Sequence, residues 1–152
     1  MDYNLMLNTQ NHVNTIQFII GEKIIPILRK RALYHDRSKY ENPEKSTYDK
    51  YIPLLKNTKY GSDEYNKIKD KMYQEGLSHH YKENRHHPEY FENGVNGMNL
   101  IDVIEMVCDW YATSLSSDTD FENCLKINYE RFGIDEQLAK IIFNTYKDLF
   151  KE

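Results

Sequence analysis

The sequence lacks the features of a membrane-spanning protein and of a disulfide-stabilised secreted protein. Its longest apolar runs, such as residues 18–20, are only three residues long, whereas a bilayer-spanning helix needs about 20 apolar residues. The two cysteines, Cys108 and Cys124, show no C-x-x-C spacing, which argues against a disulfide framework and a thiolate zinc site. No basic segment followed by an apolar one opens the chain, so we expect a cytoplasmic protein of a bacterium or of a phage-infected cell.

The chain also lacks an excess of positive charge. Its 20 Lys and Arg residues are outnumbered by 24 Asp and Glu residues, which gives a formal net charge of -4. This balance argues against strong, sequence-independent binding of nucleic acid, although a small anionic ligand needs only local positive charge. With 152 residues, 39% of them hydrophobic, the chain is predicted to form one domain over residues 1–152. Assembly of this domain into a homodimer is left open.

Apolar spacing predicts an all-α fold, a single bundle of about six to eight helices. Apolar residues recur at intervals of three and four, and no segment alternates with a period of two. A first helix is predicted over residues 9–21. Pro26 is predicted either to kink one long helix or to open a second helix, because proline is costly inside a helix but tolerated in its first turn. A longer helix, capped by Ser62 or Asp63, is predicted to run to about residue 84.

The second half of the chain is predicted to contain the central helix. Asn99 and Asp102 have the spacing of a capping box ahead of an apolar helix. The C-terminal helices are predicted over residues 117–151, the first beginning at Ser117 or Asp118. In the last helix, capped by Asp135, the residues predicted to face inward are Leu138, Ile141, Ile142, Thr145 and Leu149.

The histidines suggest a metal site. All six lie in the first 87 residues. Imidazole and carboxylate ligands together suit zinc, iron, manganese or nickel. Helical spacing predicts that His12 and His35 point toward the core. The remaining four histidines form two adjacent pairs, namely His79–His80 and His86–His87.

A late carboxylate could complete such a site. Asp109 lies within an apolar helix, where an isolated ionised carboxylate is costly unless it is paired or binds a metal. Asp102, Glu105 and Asp109 are spaced by three and four residues, so a solvated polar stripe is the alternative.

Three motifs together resemble the HD-domain superfamily of metal-dependent phosphohydrolases. They are H-D-R-S-K at residues 35–39, N-R-H-H-P-E at 84–89 and V-I-E-M-V-C-D-W-Y-A at 103–112, preceded by the lone His12. The combination of H-D-x-S-K, N-R-H-H-P-E and E-M-x-x-D-W also looks like a family of uncharacterised proteins from phages and low-GC bacteria. The resemblance covers residues 12–113.

The resemblance implies a function and a set of site residues. The implied activity is hydrolysis of a small phosphorylated substrate, most readily a nucleotide, with one or two divalent ions of Fe, Mn, Zn or Ni. Asp36 and Lys39 are the implied catalytic residues, and Lys39, Arg85 and Asn84 are the implied substrate contacts, since cations and amides bind phosphate. The implied metal ligands are His12, His35, Asp36, His80, His86, His87 and Asp109, with Glu105 and Asp102 supporting them.

Other interpretations remain open for the sequence. Some HD relatives use a di-iron centre with dioxygen, and a helical module that binds a metal or ligand without turnover is a third possibility. His35 and Asp36 could simply cap a helix, and His86 and His87 could shape the turn before Pro88. Lys39 and Arg85 could be ordinary exposed cations. His80 could be a surface histidine, and His79 more readily so.

Overall fold

The computed structural model describes residues 4–151 and contains no strand among them. Its helices confirm the predicted all-α class. The chain divides into two compact units, Met1–His35 and Asp36–Glu152, which are described separately below. Among the described residues, none of the helices has both the length and the apolar character that a membrane span requires.

The first unit is a run of helical segments. Helix α1 (Leu5–Phe18) is capped by the Asn4 side chain, a π-helical segment covers Ile19–Ile24, and α2 (Ile25–Tyr34) carries Pro26 in its first turn. The helical backbone continues from Leu5 to Tyr34 without a break, and Pro26 lies where the π-helical segment passes into α2. Within residues 4–35 no side chain is buried, so the expected inward orientation of His12 is not observed.

The second unit begins with three helices that position the histidines. They are α3 (Glu44–Lys56), α4 (Asp63–Met72) and α5 (Ser78–Glu83), the last two joined by a π-helical segment, Tyr73–Leu77. Ser62 caps α4 as predicted, by accepting from the Tyr65 N–H. Gly76 lets α3 approach closely, because a Cβ there would lie 2.4 Å from the Thr47 Oγ1.

Three further helices complete the second unit and form its apolar core. They are α6 (Leu100–Ser116), α7 (Phe121–Phe132) and α8 (Glu136–Leu149). The capping box predicted at the start of α6 is present, formed by Asn99 and Asp102. The core consists of Met106, Val107, Trp110, Phe121, Leu125, Ile142 and Tyr146.

Two details of the C-terminal helices differ from the prediction. Helix α7 begins at Phe121, not at Ser117 or Asp118, because the Asp120 side chain caps it while Asp118 occupies a left-handed turn with φ of 51°.

In α8, Ile142 and Tyr146 face the core, whereas Ile141, Thr145 and Leu149 are exposed. The inward stripe is therefore rotated relative to the predicted one. Tyr146 takes the inner position because its ring packs edge-on against Phe121, with centroids 4.9 Å apart.

Candidate metal centre

Asp36 is the first residue of the second unit and follows His35, the C-cap residue of α2. Its φ of 56° is left-handed, a conformation that Asp and Asn tolerate better than most residues. The backbone then forms a 3-10 turn, Arg37–Tyr40, closed by the Lys39 N–H donating to the Asp36 carbonyl at 2.9 Å. This turn places the Lys39 ammonium against Asp36 Oδ2.

Two buried imidazoles converge on the other carboxylate oxygen. The Nε2 atoms of His80 and His86 each lie 3.4 Å from Asp36 Oδ1. Both histidine side chains are only 2% exposed. His87 joins them, with its Nε2 at 2.9 Å from the Nε2 of His80. We call Asp36, His80, His86 and His87 the polar centre.

Glu44 fixes the orientation of His80. Its carboxylate is fully buried, and Oε2 lies 2.8 Å from His80 Nδ1 and 2.9 Å from the Ser38 hydroxyl. The Asn84 amide also approaches His80 Nδ1, but it donates at 2.8 Å to Ser38 Oγ and to the His80 carbonyl. Those two acceptors use both amide hydrogens, so His80 Nδ1 carries the proton and donates it to Glu44 Oε2, which leaves Nε2 unprotonated on the side of Asp36.

Glu105 supports His86 in the same manner. Its Oε1 lies 3.4 Å from His86 Nδ1, on the side of the ring opposite Asp36. Each buried imidazole is therefore placed between a carboxylate at Nδ1 and the Asp36 carboxylate at Nε2. Histidines that bind metals characteristically have such a carboxylate at their other nitrogen, because it sets the tautomer and the ring orientation.

Burial favours the neutral forms of His80 and His87. It lowers the pKa of His80 below the ordinary value, against the opposing effect of Asp36. The pKa of His87 falls to about 3, chiefly through burial and then through His86 and His80. Neutral imidazoles offer lone pairs, which are the form that binds a cation.

The spacing and the donor types fit a divalent ion. The four residues each offer a ligand atom, and these atoms lie within 4.8 Å of one another. Two ligand atoms bound tetrahedrally to zinc at about 2.0–2.1 Å lie about 3.3 Å apart. The separation between His80 Nε2 and Asp36 Oδ1 is 3.4 Å, and that between the Nε2 atoms of His80 and His87 is 2.9 Å. Three imidazoles and a carboxylate also suit iron or manganese.

Asp109 lies beside the polar centre. It is half-buried, and one of its carboxylate oxygens lies within 4.8 Å of a His86 nitrogen. Its charge raises the pKa of His87, against the larger effect of burial. On the same face of α6, Asp102 is fully buried and Glu105 is 9% exposed. The alternative of a solvated stripe is therefore wrong for these two residues.

Other predicted site residues have different surroundings. Arg85 donates to both carboxylate oxygens of Asp102, at 3.0 and 2.8 Å, and Asn84 holds Ser38 and His80 as described above. His79 Nδ1 donates to Glu44 Oε1 at 2.8 Å. His12 and His35 belong to the first unit, and their assignment as ligands stays a prediction.

The sequence analysis did not identify two residues of α3 as part of the site. Glu44 and Tyr48 lie one helical turn apart, and the Tyr48 ring lies edge-on to His80 with centroids 6.1 Å apart. Burial, followed by the charge of Asp36, raises the pKa of Tyr48, so the phenol keeps its proton. The available signal was a glutamate on the same helical face as the buried Thr47 and Tyr51.

Comparison with known proteins supplies a family but no function. No curated protein and no solved structure matches the chain. One family model, described as a family of unknown function, matches residues 1–148. Because this match covers nearly the whole sequence, the chain belongs to that family, DUF5662.

Proposed function

We propose that this protein is a metal-dependent phosphohydrolase of the HD type that acts on a small phosphorylated substrate, a nucleotide. The observation that carries the proposal is the convergence of His80 and His86 Nε2 on Asp36 Oδ1, each ring supported by a buried carboxylate. The order of the sequence motifs, which resembles that of HD phosphohydrolases, adds support. A nucleotide substrate also suits the cytoplasm of a bacterium or of a phage-infected cell.

Asp36, His80, His86 and His87 would hold the ion, with Asp109 as a further candidate ligand. A divalent ion supplies polarisation of a phosphoryl oxygen and a lowered pKa for an attacking water. Glu44 and Glu105 keep the two buried imidazoles in the tautomer that presents Nε2. The two buried imidazoles would therefore already have the tautomer that binds an ion before an ion is bound.

Lys39 and Tyr48 would bind the phosphate group of the substrate. The Lys39 ammonium contacts Asp36 and lies 5.0 Å from the centroid of the Tyr48 ring. Its side chain is 35% exposed, so it can reach a ligand while it neutralises negative charge. The protonated Tyr48 phenol can donate a hydrogen bond to a phosphate oxygen.

Arg85 has a different proposed role from the phosphate clamp suggested by the sequence. Its Nε and Nη2 both donate to Asp102, which is fully buried. This bidentate pair holds the chain immediately before His86. We therefore assign Arg85 to positioning of His86, and phosphate binding to Lys39.

The decisive experiment combines metal analysis with a substrate screen. Protein purified without added metal or chelator should contain about one or two equivalents of a transition metal and should release phosphate from at least one nucleotide. The His80→Ala variant should lose both properties, and the exposed His12→Ala variant measures the contribution of the first unit. Absence of metal together with absence of phosphate release would refute the proposal.

A di-iron oxygenase is the second candidate, because three imidazoles and a carboxylate also suit iron. Iron in the purified protein, oxygen consumption and no phosphate release would favour it. Metal that is retained without turnover of any compound would instead favour a binding module. In that case removal of the metal should destabilise the fold, since metal binding and folding are linked.

A further inference from the structure

An open groove lies beside the polar centre. It has a volume of about 420 Å³, within the size range of small-molecule sites. Helix α4 and the following π-helical segment form one side, and α5 and α7 contribute the other. We call this the tyrosine groove, and the residues that matter for its chemistry are Lys69, Asp70, Tyr73, Tyr81, Glu89 and Arg131.

Tyr81 connects the groove to the polar centre. Its ring lies 4.8 Å from the His87 ring and 6.2 Å from the Tyr73 ring, between centroids. One aromatic ring therefore separates the groove from a histidine of the polar centre. A ligand in the groove would therefore be separated by the Tyr81 ring alone from a phosphate bound at the polar centre.

The charges of the groove balance. Two cations, Lys69 and Arg131, accompany two carboxylates, Asp70 and Glu89. Arg131 donates to Glu89 Oε1 at 2.8 Å, and its Nη2 lies 3.5 Å from the Tyr81 hydroxyl. These balanced charges give a phosphate no net attraction to the groove, whereas an uncharged ligand with hydrogen-bond donors and acceptors would find partners of both kinds.

The walls favour a flat ligand. The Tyr73 side chain is 50% exposed, so an aromatic face remains accessible beside Tyr81. The planar guanidinium of Arg131 supplies another flat surface. Proteins bind nucleobases by stacking them on aromatic rings and on guanidinium planes while polar groups contact the base edges.

From the balanced charges, the aromatic walls and the shared Tyr81, we infer that the tyrosine groove binds the base of a nucleoside phosphate whose phosphate is held at the polar centre. This inference rests on the proposed function for the phosphate, and it narrows the substrate class to compounds that carry a nucleobase. Sugar phosphates without a base would lack this contact.

Nucleoside binding tests the inference without a metal. Amide NMR spectra of the chelator-treated protein are recorded during titration with adenosine, guanosine, cytidine and uridine, and with ribose 5-phosphate. At least one nucleoside should shift the amides of the groove around Tyr73 and Arg131, and ribose 5-phosphate should not. If no nucleoside at millimolar concentration shifts them, the inference is wrong.

Two variants and a control locate the binding. Tyr73→Leu keeps an apolar side chain but removes the aromatic face, so nucleoside affinity should fall about tenfold or more. Arg131→Lys keeps the positive charge but removes the planar guanidinium, so nucleoside affinity should fall severalfold. Tyr60→Leu, at a residue 84% exposed and outside the groove, should bind like the wild type. Equal affinity of Tyr73→Leu and Tyr60→Leu would overturn the inference.

The two proposals fail in different ways. Nucleoside binding at the groove by a protein that takes up no metal would refute the phosphohydrolase and leave the base site intact. Metal-dependent phosphate release from ribose 5-phosphate as fast as from nucleotides, without nucleoside binding, would refute the base site alone.

Discussion

The two faces of α6 lead into two different kinds of buried interior. Met106, Val107 and Trp110 enter the apolar core, whereas Asp102 and Glu105 enter the polar side that contains the histidines. Burial of apolar surface stabilises the first interior without directional partners. The second interior is buried at a cost, and it persists because each charge has a specific partner. One half of the unit should therefore control stability, and the other half should control ligand binding.

The largest expected effect is stabilisation of the polar centre by a metal. An ion at about 1,000 times its Kd should raise the free energy of unfolding by about 4 kcal/mol. The Asp36→Asn variant should show no such increase, because the carboxylate shared by His80 and His86 is removed. Asparagine tolerates the left-handed φ of 56° at this position, so the metal-free fold should be preserved.

This prediction is checked by thermal unfolding with and without Zn²⁺, Mn²⁺ or Fe²⁺. The exposed Asp49→Asn variant, which removes a carboxylate of α3, serves as the control and should respond like the wild type. An equal metal-induced shift in Asp36→Asn would place the ion elsewhere.

The next largest effect is expected from a substitution in the apolar core, which should lower stability but leave metal affinity nearly unchanged. Leu125 is 1% exposed in the apolar core, so Leu125→Ala should lower the free energy of unfolding by about 2–5 kcal/mol. The metal Kd of the folded variant should stay within about threefold of the wild type, since additivity holds for distant sites.

Urea denaturation and metal titration together measure both quantities. Leu149→Ala, at a residue 70% exposed, should change the unfolding free energy by less than about 0.5 kcal/mol. A large loss of metal affinity in Leu125→Ala would show that the two interiors are coupled.

A smaller effect tests the carboxylate behind His80. Glu44→Gln keeps the size of the side chain but removes the charge that fixes the His80 tautomer. Metal affinity should fall about 10- to 100-fold, measured by competition with a chromophoric chelator. Glu75→Gln, which changes an exposed glutamate paired with Lys50, is the matched control. Unchanged affinity in Glu44→Gln would refute the positioning role of Glu44.

The smallest effect is a pH dependence of the chelator-treated protein. Because the pKa of His87 is about 3 in the folded protein and about 6.5 in an unfolded chain, the unfolded state binds more protons between these values. Stability is therefore full above pH 6.5 and falls as the pH decreases toward 3. We expect a loss of about 1–2 kcal/mol between pH 7 and pH 5.

Urea denaturation at each pH measures this dependence. His87→Asn should flatten it, whereas His12→Asn, in the first unit, should leave it unchanged. A slope that is the same in His87→Asn and in the wild type would assign the acid sensitivity to other groups.

Sequence patterns predicted the fold class and part of the centre for identifiable reasons. The apolar spacing and the capping box at Asn99 are local signals, and they predicted the helices and the start of α6. The motifs at residues 35–39 and 84–89, together with the histidine pair at residues 79–80, also selected four residues that the structure brings together. The alignment of Glu44 with His80 depends on packing between α3 and α5, across 36 residues of chain. A single sequence carries no local signal for such a pairing.

Arg85 illustrates the same difficulty. As an isolated cation beside two histidines, it suggested a phosphate contact, because its partner lies 17 residues further along the chain. The rotated face of α8 has a related cause. Spacing alone did not rank Tyr146 above Ile141, whereas aromatic packing against Phe121 places Tyr146 inside.

The Arg85–Asp102 pair also has a consequence for engineering. It joins the two ends of the segment between α5 and α6, and Asp102 additionally accepts from the Asn99 N–H at 3.0 Å. Within this segment Glu92 and Asn93 are exposed, and exposed polar loop tips tolerate insertions. A fluorophore or a peptide tag inserted between Glu92 and Asn93 would therefore report on the neighbouring histidines, while the Arg85–Asp102 pair keeps His86 in place.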